Sequence, residues 1–590
     1  MCGIVGYTGA RDALDIVLSS LARVTYRGYD SFGVAILDGA GVTEYKAVGS
    51  VDNQNEAIPR FRGTVGIGHT RWATVGKVSQ QNAHPHFDCG KRVAVVHNGD
   101  IDNYLSLKKE LEERGHVFRS ETDSEVIAHL IEEGADEDLL DAVEKAVGRL
   151  EGSYAITVLR DGAKDLAVAR KGTPLVIGLG DGEMFVASDI PAMVPYTRRV
   201  LYLEDGDVAR LSGDHLEVRN GGISVARAVH QAEWSRDQLD RGGFEHFMLK
   251  EMHEQPNALR DTLESHGRVA LSLPAFCKIS HLLLMGCGTS YHACLVAKEI
   301  LGRRLPFPVD VVVASEYRPN GLTPDNALAV ALSQSGETAD TLMALQAAKK
   351  AGYHTVAVTN VGNSSITRIA DDVLYTKAGP EMAVAATKTF LSQLAALYAL
   401  GAALQKLTPT DHETYLGKLS SLAGHVRRVL EDTGAVERIG RKLGIFDNLF
   451  IIGRGVEMPV ALEGALKFKE VAYVHAEGCY AGELKHGPFA LLGPDVPVIA
   501  LVGQDEHRAR MLTSMREIRA RGALVVALAA AGDQAVYAVA DEVIQMPALD
   551  SDLLPFVHTV VLQLLAYYCA QERGCPIDRP RNLAKSVTVL

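Results

Sequence analysis

The C-terminal part of the chain contains two copies of one pattern. The segment HLLLMGCGTSYHACLVAKE resembles NLFIIGRGVEMPVALEGALKFKE, and each contains an apolar strand, a GxG turn and a helix. Three landmarks recur at a nearly constant separation: Gly286 with Gly453 in these segments, then Leu332 with Leu501, and Gly352 with Gly522. Strands that alternate with helices are typical of parallel sheets. The sequence therefore predicts two doubly wound α/β domains, at 262–405 and 430–580.

The N-terminal part follows a different pattern. Residues 2–220 contain short apolar runs, such as 93–96 and 155–159, separated by glycines. This pattern predicts a strand-rich, layered α+β domain. The charged stretch that follows shows no strand pattern, so we assign 221–261 to a linker. Residues 581–590 are expected to form a C-terminal tail.

Composition narrows the classes of function. Of the 590 residues 47% are hydrophobic and 23% are charged, which is typical of folded globular domains. The net charge of −13 argues against a nucleic-acid partner, because nucleic-acid binding needs a basic surface. Eight scattered cysteines without a CxxC pair, and no signal peptide, predict reduced thiols and a cytoplasmic protein. The apolar stretch 553–570 contains His558 and Gln563, so we expect a buried helix and no membrane span.

The chain opens MCGIVGYTG, with a cysteine directly after the initiator methionine. Removal of that methionine would give Cys2 a free α-amino group, a base able to accept the proton of its own thiol. This arrangement predicts a nucleophile, and the alternative interpretation is an ordinary surface thiol. Asn98 and the amide of Gly99 suit an oxyanion hole for acyl transfer. Arg71 suits the binding of a carboxylate.

A serine-rich turn, SQSGETADT, follows the apolar strand 328–332 in the first repeat. Ligands of such sheets bind at the carboxyl ends of strands, and the free amides of a helix start favour an anion. The turn predicts a phosphate site, and the alternative is a plain helix N-cap with Glu337 in a capping box. The matching turn of the second repeat is acidic, so we expect the anion in the first repeat. The hydroxyl candidates are Thr289, Ser290, Ser333, Ser335 and Thr338.

The second repeat carries residues suited to proton transfer. Glu463, Lys467 and Glu470 share one face of a helix, although their spacing alone favours a solvent-exposed salt-bridge ladder. His486 lies in a loop, where a histidine is available for chemistry. Lys585 lies in an otherwise apolar terminal segment, which suggests a docked tail with an amine nucleophile.

Four histidines near the first strands, His69, His84, His86 and His97, give no zinc pattern. An HxH pair with an intervening proline has poor spacing for a metal, and no cysteine or carboxylate pair completes it. We therefore expect no metal and no cofactor.

Together these segments resemble two known families. Cys2–Gly6, RGYDS, HTRWAT, NAHPH, HNG and SETD resemble the class II glutamine amidotransferases, which are N-terminal nucleophile (Ntn) hydrolases. GTS, SQSGET, LEGALKxKE, GELKHGP and PRNLAKSVTV resemble the paired sugar isomerase (SIS) domains of amino-sugar-forming amidotransferases. The resemblance covers essentially the whole chain. It implies a layered α/β/β/α glutaminase domain followed by two doubly wound parallel-sheet SIS domains.

The resemblance also implies the reaction. D-Fructose 6-phosphate and L-glutamine become D-glucosamine 6-phosphate and L-glutamate, the first step of UDP-N-acetylglucosamine biosynthesis. Family members are homodimers or larger, and a histidine loop reaches into the partner's site. Ammonia passes through an internal channel gated by the tryptophan that matches Trp72.

The resemblance also implies roles for individual residues. Cys2 matches the nucleophile, and Asn98 with Gly99 matches the oxyanion hole. The positions that match glutamine ligands are Arg71, Trp72, Thr74, His84 and Asp123. The positions that match the sugar-phosphate pocket are Thr289, Ser290, Ser333, Gln334, Ser335, Thr338, Val384 and Ala386.

In the sugar half, the resemblance also implies which residues are catalytic. Glu470 matches the base that moves a proton between C1 and C2, and Lys467 matches a neighbouring proton-handling residue. His486 matches the group that opens the sugar ring, and Lys585 matches the lysine that forms a Schiff base with the ketose. Three positions depart from the family pattern: Phe32, Val75 and Ala386. These departures affect substrate affinity more than reaction type.

Three other functions account for less of the sequence. A phosphoribosylamine-forming amidotransferase needs a paired acidic diphosphate-binding loop after a strand, which the sequence lacks. A sugar-phosphate sensor needs a basic helix-turn-helix, which the acidic N-terminal part does not provide. A deglycase or isomerase that does not use glutamine leaves Cys2, Arg71, Asn98 and Asp123 unexplained.

Overall fold

The computed structural model describes residues 2–588 apart from 54–57, 233, 236, 267–278, 320–324 and 406–408. The chain divides into two compact units. The first comprises Met1–Asp240 with Ser586–Leu590, and the second comprises Arg241–Lys585.

The first unit is built from two antiparallel sheets. Its strands are β1 (Gly3–Thr8), β2 (Ser31–Asp38), β3 (Gly41–Val48), β4 (Val65–Arg71), β5 (His86–Phe87), β6 (Val93–Ile101), β7 (Gly152–Arg160), β8 (Leu166–Lys171), β9 (Val176–Leu179), β10 (Met184–Ala187), β11 (Arg199–Tyr202), β12 (Asp207–Ser212), β13 (His215–Asn220), β14 (Ile223–Ser224) and β15 (Val229–Gln231). Its helices are α1 (Ala13–Ala22), α2 (Tyr104–Glu113), α3 (Glu125–Glu132) and α4 (Leu139–Val147). One sheet has the order β15-β11-β9-β10-β1-β4-β2-β3, and the other has the order β14-β13-β12-β8-β7-β6-β5.

The alternation of side chains along β6 shows how the layers form. Val93 and Val95 pack among the residues of α3 and α4, whereas Ala94 and Val96 pack among residues of the other sheet. Successive side chains of a strand point to opposite faces, so β6 contributes to both cores. Helix α1 contacts β1 and β4 on the outer side of the other sheet. The predicted α/β/β/α layering is confirmed.

The second unit contains the two repeats. The elements of the first are α5 (Phe247–His266), β16 (His281–Gly286), α6 (Thr289–Arg304), β17 (Val309–Val313), β18 (Ala327–Leu332), α7 (Ala339–Lys350), β19 (His354–Thr359), α8 (Ser365–Ile369), β20 (Asp372–Tyr375), α9 (Lys388–Leu404) and α10 (Pro409–Glu431). Those of the second are α11 (Gly434–Leu443), β21 (Asn448–Gly453), α12 (Glu457–Ala472), β22 (His475–Tyr480), β23 (Val498–Leu501), α13 (Arg508–Arg519), β24 (Val525–Ala530), α14 (Gln534–Tyr537), β25 (Glu542–Met546) and α15 (Leu554–Glu572).

Both repeats form a five-stranded parallel sheet with the same strand order. The orders are β17-β16-β18-β19-β20 and β22-β21-β23-β24-β25, so the first strand of each copy lies between its second and third. The strand β18 is buried along its whole length, as expected for a parallel strand covered on both faces. The prediction of two doubly wound domains is confirmed.

Among the described residues, α15 is the one helix long and apolar enough to cross a membrane. However, 89% of the most apolar window of that helix is buried inside the protein, where it packs against α11 and α12. A core helix passes the same test of length and composition.

The range 221–261 contains regular structure. Strand β15 pairs with β11 and so extends the first unit beyond residue 220. Helix α5 then begins the second unit, and its first amides are held by a distant carboxylate. Asp578 accepts the N–H groups of Phe247 and Met248, at 2.9 Å each.

We predict that Asp578→Ala destabilises the start of α5. Loss of a side chain that caps helix amides costs about 1–2 kcal/mol, so hydrogen exchange in the first turns of α5 should become about five- to thirtyfold faster. Exchange mass spectrometry of the full chain measures this effect. The matched control is Asp495→Ala, at an exposed position of the same unit, and equal exchange in both variants would contradict the capping role.

Candidate active sites

Cys2 lies immediately before β1, next to the end of β4. The N–H of Trp72 donates to Cys2 Sγ at 3.4 Å, and the thiol lies 3.6 Å from the Trp72 carbonyl oxygen. Asn98 Nδ2 donates to the carbonyl oxygen of Cys2 at 2.9 Å. The structure therefore brings the predicted nucleophile and the predicted oxyanion-hole amide together.

A neutral histidine fixes the orientation of the Asn98 amide. Burial lowers the pKa of His69 to about 3, so its imidazole is uncharged. Its Nε2 lies 3.0 Å from both Asn98 Oδ1 and the His97 carbonyl oxygen, and both of these are acceptors. Nε2 therefore carries the proton and holds the oxygen of Asn98. As a result the NH₂ group of Asn98 is directed to Cys2.

Gly99 occupies a position that only glycine suits. Its φ is +123°, and a Cβ atom would lie 2.1 Å from the backbone oxygen of Ser153 on β7. Since β6 and β7 pair here, with Gly99 opposite Tyr154, the clash falls on backbone that cannot rotate away. The sequence motif HNG thus has a steric reason for its glycine.

The predicted glutamine ligands Arg71 and Asp123 share the electrostatic environment of Cys2. Arg71 donates to the backbone oxygens of Val75 at 2.6 Å and Gly76 at 3.0 Å, which folds the following loop around its guanidinium. Burial lowers the pKa of Arg71, and the charges of Cys2 and Asp123 oppose that effect. In the same loop Trp72 is half-buried and Thr74 is exposed.

His84 is buried against the other histidines. Its ring stacks on that of His69 with centroids 4.0 Å apart, and its Nδ1 accepts the His97 N–H at 3.3 Å. Burial, with the nearby imidazoles, lowers the pKa of His84 well below its usual value. The proton of the neutral ring is therefore on Nε2.

The serine-rich turn of the first repeat follows β18 and leads into α7. Ser333 Oγ accepts the N–H of Gly336 at 3.0 Å and lies 3.0 Å from Thr338 Oγ1. Thr338 is the N-cap of α7 but makes no side-chain capping bond, and Glu337 instead accepts the N–H of Ser365 at 2.8 Å. The capping-box interpretation is therefore wrong. The turn also contains Gln334 and Ser335.

The other two hydroxyl candidates lie at the start of α6. Ser290 Oγ accepts from Gln393 Nε2 at 3.0 Å. Thr289 Oγ1 donates to Glu463 Oε1 at 3.0 Å and accepts from Lys467 Nζ at 3.1 Å. Thr289 thus connects the first repeat to α12 of the second.

The carboxylates and lysine of α12 form a buried cluster. Lys467 has no exposed side-chain surface and pairs with Glu470 at 2.5 Å and with Glu463 at 3.3 Å. Burial would lower the pKa of Lys467, but the two carboxylates raise it above the ordinary value. The same lysine and His292 hold the pKa of Glu463 low against the effect of burial. The solvent-exposed ladder favoured by spacing is therefore wrong.

Lys585 is docked, with 5% of its side chain exposed, and donates to Glu381. Glu381 also accepts the N–H of Thr387 at 2.9 Å and the hydroxyl of Thr389 at 2.7 Å. Burial opposes ionisation of Glu381, but Lys585 lowers its pKa. No sequence pattern marks Glu381 as a site residue, although it lies in the segment PEMAVAATK that contains Val384 and Ala386.

A second carboxyl group near Lys585 was also missed. Glu251 accepts the N–H groups of Met382 and Ala383, the latter at 3.1 Å. Burial, together with the charge of Glu381, raises the pKa of Glu251 to about 8. Glu251 lies in the stretch assigned to a linker, and no local pattern marks it as buried.

The remaining predicted residues of the sugar half lie in two separate segments of the chain. Val384 is buried and Ala386 half-buried, just before α9. The N–H of Val384 donates to the backbone oxygen of Asp578 at 3.1 Å, which ties this segment to the C-terminal region. His486 is exposed at the end of a short 3₁₀ segment, Glu483–His486.

Two protein-family models match this chain, one in the N-terminal part and one in the C-terminal part. A glutamine amidotransferase domain model matches residues 69–195. A SIS domain model matches residues 276–403 and again 446–573.

Relatives of known name match the whole chain. The glutamine–fructose-6-phosphate aminotransferase [isomerizing] of Caldanaerobacter subterraneus subsp. tengcongensis is 44% identical over 607 residues, covering 100% of both chains. The enzyme of that name from Pyrococcus horikoshii is 44% identical over 599 residues, with the same coverage. The C-terminal domain of glucosamine-fructose-6-phosphate aminotransferase from Francisella tularensis superposes with a TM-score of 0.55 at 36% identity, covering 58% of this chain and 100% of that one.

We predict that Gly99→Ala lowers the free energy of unfolding of the first unit by more than about 2 kcal/mol. The control Gly162→Ala also has a positive φ, +77°, but its Cβ meets nothing within 4 Å, so it should cost only about 1 kcal/mol. Urea unfolding followed by tryptophan fluorescence reports on this unit, because the chain has two tryptophans, Trp72 and Trp234. Equal losses in both variants would show that the contact with Ser153 is unimportant.

We predict that Glu251 makes the second unit less stable as pH rises from the ordinary carboxyl range to about 8. In that window the folded state holds a proton that the unfolded chain has released, so the free energy of unfolding falls by up to about 1.4 kcal/mol per pH unit. Glu251→Gln keeps an accepting oxygen and removes the titration, and should abolish this dependence.

Hydrogen exchange of α5, corrected for the intrinsic pH dependence of exchange, measures the effect. Glu264→Gln, at an exposed position on the same helix, is the control and should behave like the unmodified chain. A Glu251→Gln variant whose stability still falls with pH would overturn the assignment.

Proposed function

The chain belongs to the family of glutamine–fructose-6-phosphate aminotransferases (isomerizing), and we propose that it uses the residues described above to carry out that family's reaction. The amide nitrogen of L-glutamine is transferred to D-fructose 6-phosphate, which gives D-glucosamine 6-phosphate and L-glutamate. The observation that carries this proposal is the presence in one chain of Cys2 with its directed Asn98 amide and of Lys585 docked beside buried carboxylates.

In the glutaminase half, the Cys2 thiolate attacks the side-chain carbonyl carbon of glutamine, and the α-amino group accepts the thiol proton. Asn98 Nδ2 and the Gly99 N–H stabilise the resulting oxyanion. Ammonia leaves, and water releases glutamate from the thioester. Arg71 and Asp123 bind the carboxylate and amino group of glutamine, with the assistance of Trp72, Thr74 and His84.

In the isomerase half, the serine-rich turn binds the sugar phosphate. Its ligands are Ser333, Gln334, Ser335 and Thr338, with Thr289, Ser290, Val384 and Ala386 lining the rest of the site. The hydroxyls and the free amides at the start of α7 suit an anion.

The chemistry of the isomerase half begins with ring opening by His486. Lys585 then adds to C2 of the open ketose and loses water to form an imine. Ammonia displaces the lysine, and Glu470 moves a proton from C1 to C2, next to Lys467. Glu381, which pairs with Lys585, is suited to accept the proton that the lysine must lose before it attacks.

We further propose that the glutaminase domain is followed by SIS domains at about 262–405 and 430–580 and by a catalytic tail at 581–590. The connecting range 221–261 contains the strands β14 and β15 and the start of α5. The molecule is proposed to be a cytoplasmic homodimer, in which the exposed His486 reaches the partner's site. The cytoplasmic location is supported by the scattered cysteines, and the homodimer is supported by the family resemblance of the sequence.

The direct test is incubation of the full chain with fructose 6-phosphate and glutamine labelled with ¹⁵N in the amide. Glutamate and ¹⁵N-labelled glucosamine 6-phosphate should form in equal amounts. Glutamate without labelled amino sugar would overturn the proposed function.

We predict that the two half-reactions are separable by single substitutions. Cys2→Ala should reduce glutamate release by more than about 10³-fold while leaving slow isomerisation of fructose 6-phosphate to glucose 6-phosphate. Lys585→Ala should abolish amino-sugar formation while leaving glutamine hydrolysis. The controls are Cys575→Ala and Lys418→Ala, at a partly buried thiol and an exposed lysine of the second unit.

A borohydride trap with fructose 6-phosphate provides an independent readout. The native chain should be labelled and Lys585→Ala should not. Equal labelling of the two would mean that Lys585 has a structural role only.

A further inference from the structure

Four side chains that neither half-reaction uses converge in the first unit. Cys89 lies in the turn between β5 and β6, His116 lies in the loop after α2, and His129 and Glu132 lie on α3. One donor atom from each, Sγ, Nδ1, Nδ1 and a carboxylate oxygen, lies within 4.8 Å of the other three. Three separate segments of the chain therefore present metal-binding atoms to one point.

The distances between these atoms resemble the edges of a tetrahedron. Cys89 Sγ lies 3.6 Å from the Nδ1 atoms of both His116 and His129. Glu132 Oε2 lies 2.9 Å from Nδ1 of His116 and 3.1 Å from that of His129. Around a tetrahedral zinc ion, standard bond lengths give about 3.6 Å between sulfur and nitrogen and about 3.3 Å between nitrogen and oxygen. The two sulfur–nitrogen edges agree, and the two nitrogen–oxygen edges need to lengthen by only a few tenths of an ångström.

The surroundings of the cluster match those of bound metals. The N–H of Val117 donates to Cys89 Sγ at 3.4 Å, and the N–H of Cys89 donates to Glu132 at 3.1 Å. The second nitrogen of His129 is buried and makes no hydrogen bond with the described residues, and Glu125 Oε1 lies 3.7 Å from it. A metal-bound histidine usually directs its other N–H to a carboxylate, and Glu125 is the carboxylate nearest to that role.

Charge and donor type favour zinc. A cysteine thiolate and the Glu132 carboxylate would neutralise a divalent cation, so no net charge would be buried. One thiolate, two imidazoles and one carboxylate are all donors that zinc accepts. Without a metal, the two histidines and the Cys89 amide must all share a single oxygen of Glu132.

We propose that Cys89, His116, His129 and Glu132 bind one structural zinc ion. Since the protein supplies all four ligands, no position is open for a substrate, and the ion joins the β5–β6 turn to α3. The sequence predicted no metal, because these four residues belong to no short metal-binding motif. The only local signal is the spacing of His129 and Glu132, which places them on one face of a helix.

The test measures metal on the full chain and does not depend on catalytic activity. The protein is purified without chelator and its zinc content is measured by mass spectrometry. The zinc-free chain is then titrated with cobalt(II), whose tetrahedral thiolate complexes absorb intensely in the visible and near ultraviolet. We expect about one zinc per chain and a cobalt spectrum that saturates at one equivalent.

Variants identify the ligands. Cys89→Ser and His129→Ala should each lower the zinc content at least about tenfold and abolish the thiolate–cobalt absorption, whereas Cys575→Ser should change neither. Absence of zinc and of a cobalt spectrum in the unmodified chain would overturn the proposal, even if a variant fails to fold. A thiolate–cobalt spectrum that survives Cys89→Ser would overturn it as well.

Discussion

The second unit depends on an ammonium group that has no contact with water. Lys467 is completely buried, and a buried charge is tolerated only where partners compensate its lost hydration. Two partners, Glu463 and Glu470, lie on its own helix, and the third, Thr289, lies at the start of α6 in the other repeat. Because the Thr289 hydroxyl bonds both Glu463 and Lys467, the cluster fixes how α12 sits against α6. The position of Glu470 follows from this constraint.

Lys585 is a second buried ammonium group that needs compensating partners, but its carboxyl neighbours are charged differently. It faces two buried carboxyl groups, and only one of them needs to be ionised to balance it. Glu381 takes that role through direct contact, whereas Glu251 has a pKa of about 8 and keeps its proton at neutral pH. The protonated group still accepts two backbone N–H bonds from the segment next to Glu381. A terminal residue, which would ordinarily fray, is thereby held by compensated electrostatics.

The sequence was informative where periodicity or spacing reports on burial. The repeat predicted two parallel sheets, and the short apolar runs separated by glycines predicted a layered first domain. Spacing could not show that the Lys467 ladder is buried, because an amphipathic helix looks the same whether its charged face meets solvent or another repeat. Nor could it reveal Glu251, whose burial depends on a segment more than a hundred positions away. The ligands of the proposed zinc site were missed for the same reason, since Cys89 and His129 meet only in the folded chain.

The first unit orients the Asn98 amide at the nucleophile with neutral imidazoles. His69 and His84 are neutral because burial lowers the pKa of each, so their protons are fixed by the acceptors around them. This makes His69 a one-way donor to Asn98, and the Asn98 amide is left with a single useful orientation toward Cys2. An ionised histidine would donate from both nitrogens and would conflict with the N–H of His97 at His84 Nδ1. Neutral imidazoles therefore fix the orientation of the oxyanion-hole amide, whereas compensated charges fix the positions of Lys467 and Lys585 in the sugar half.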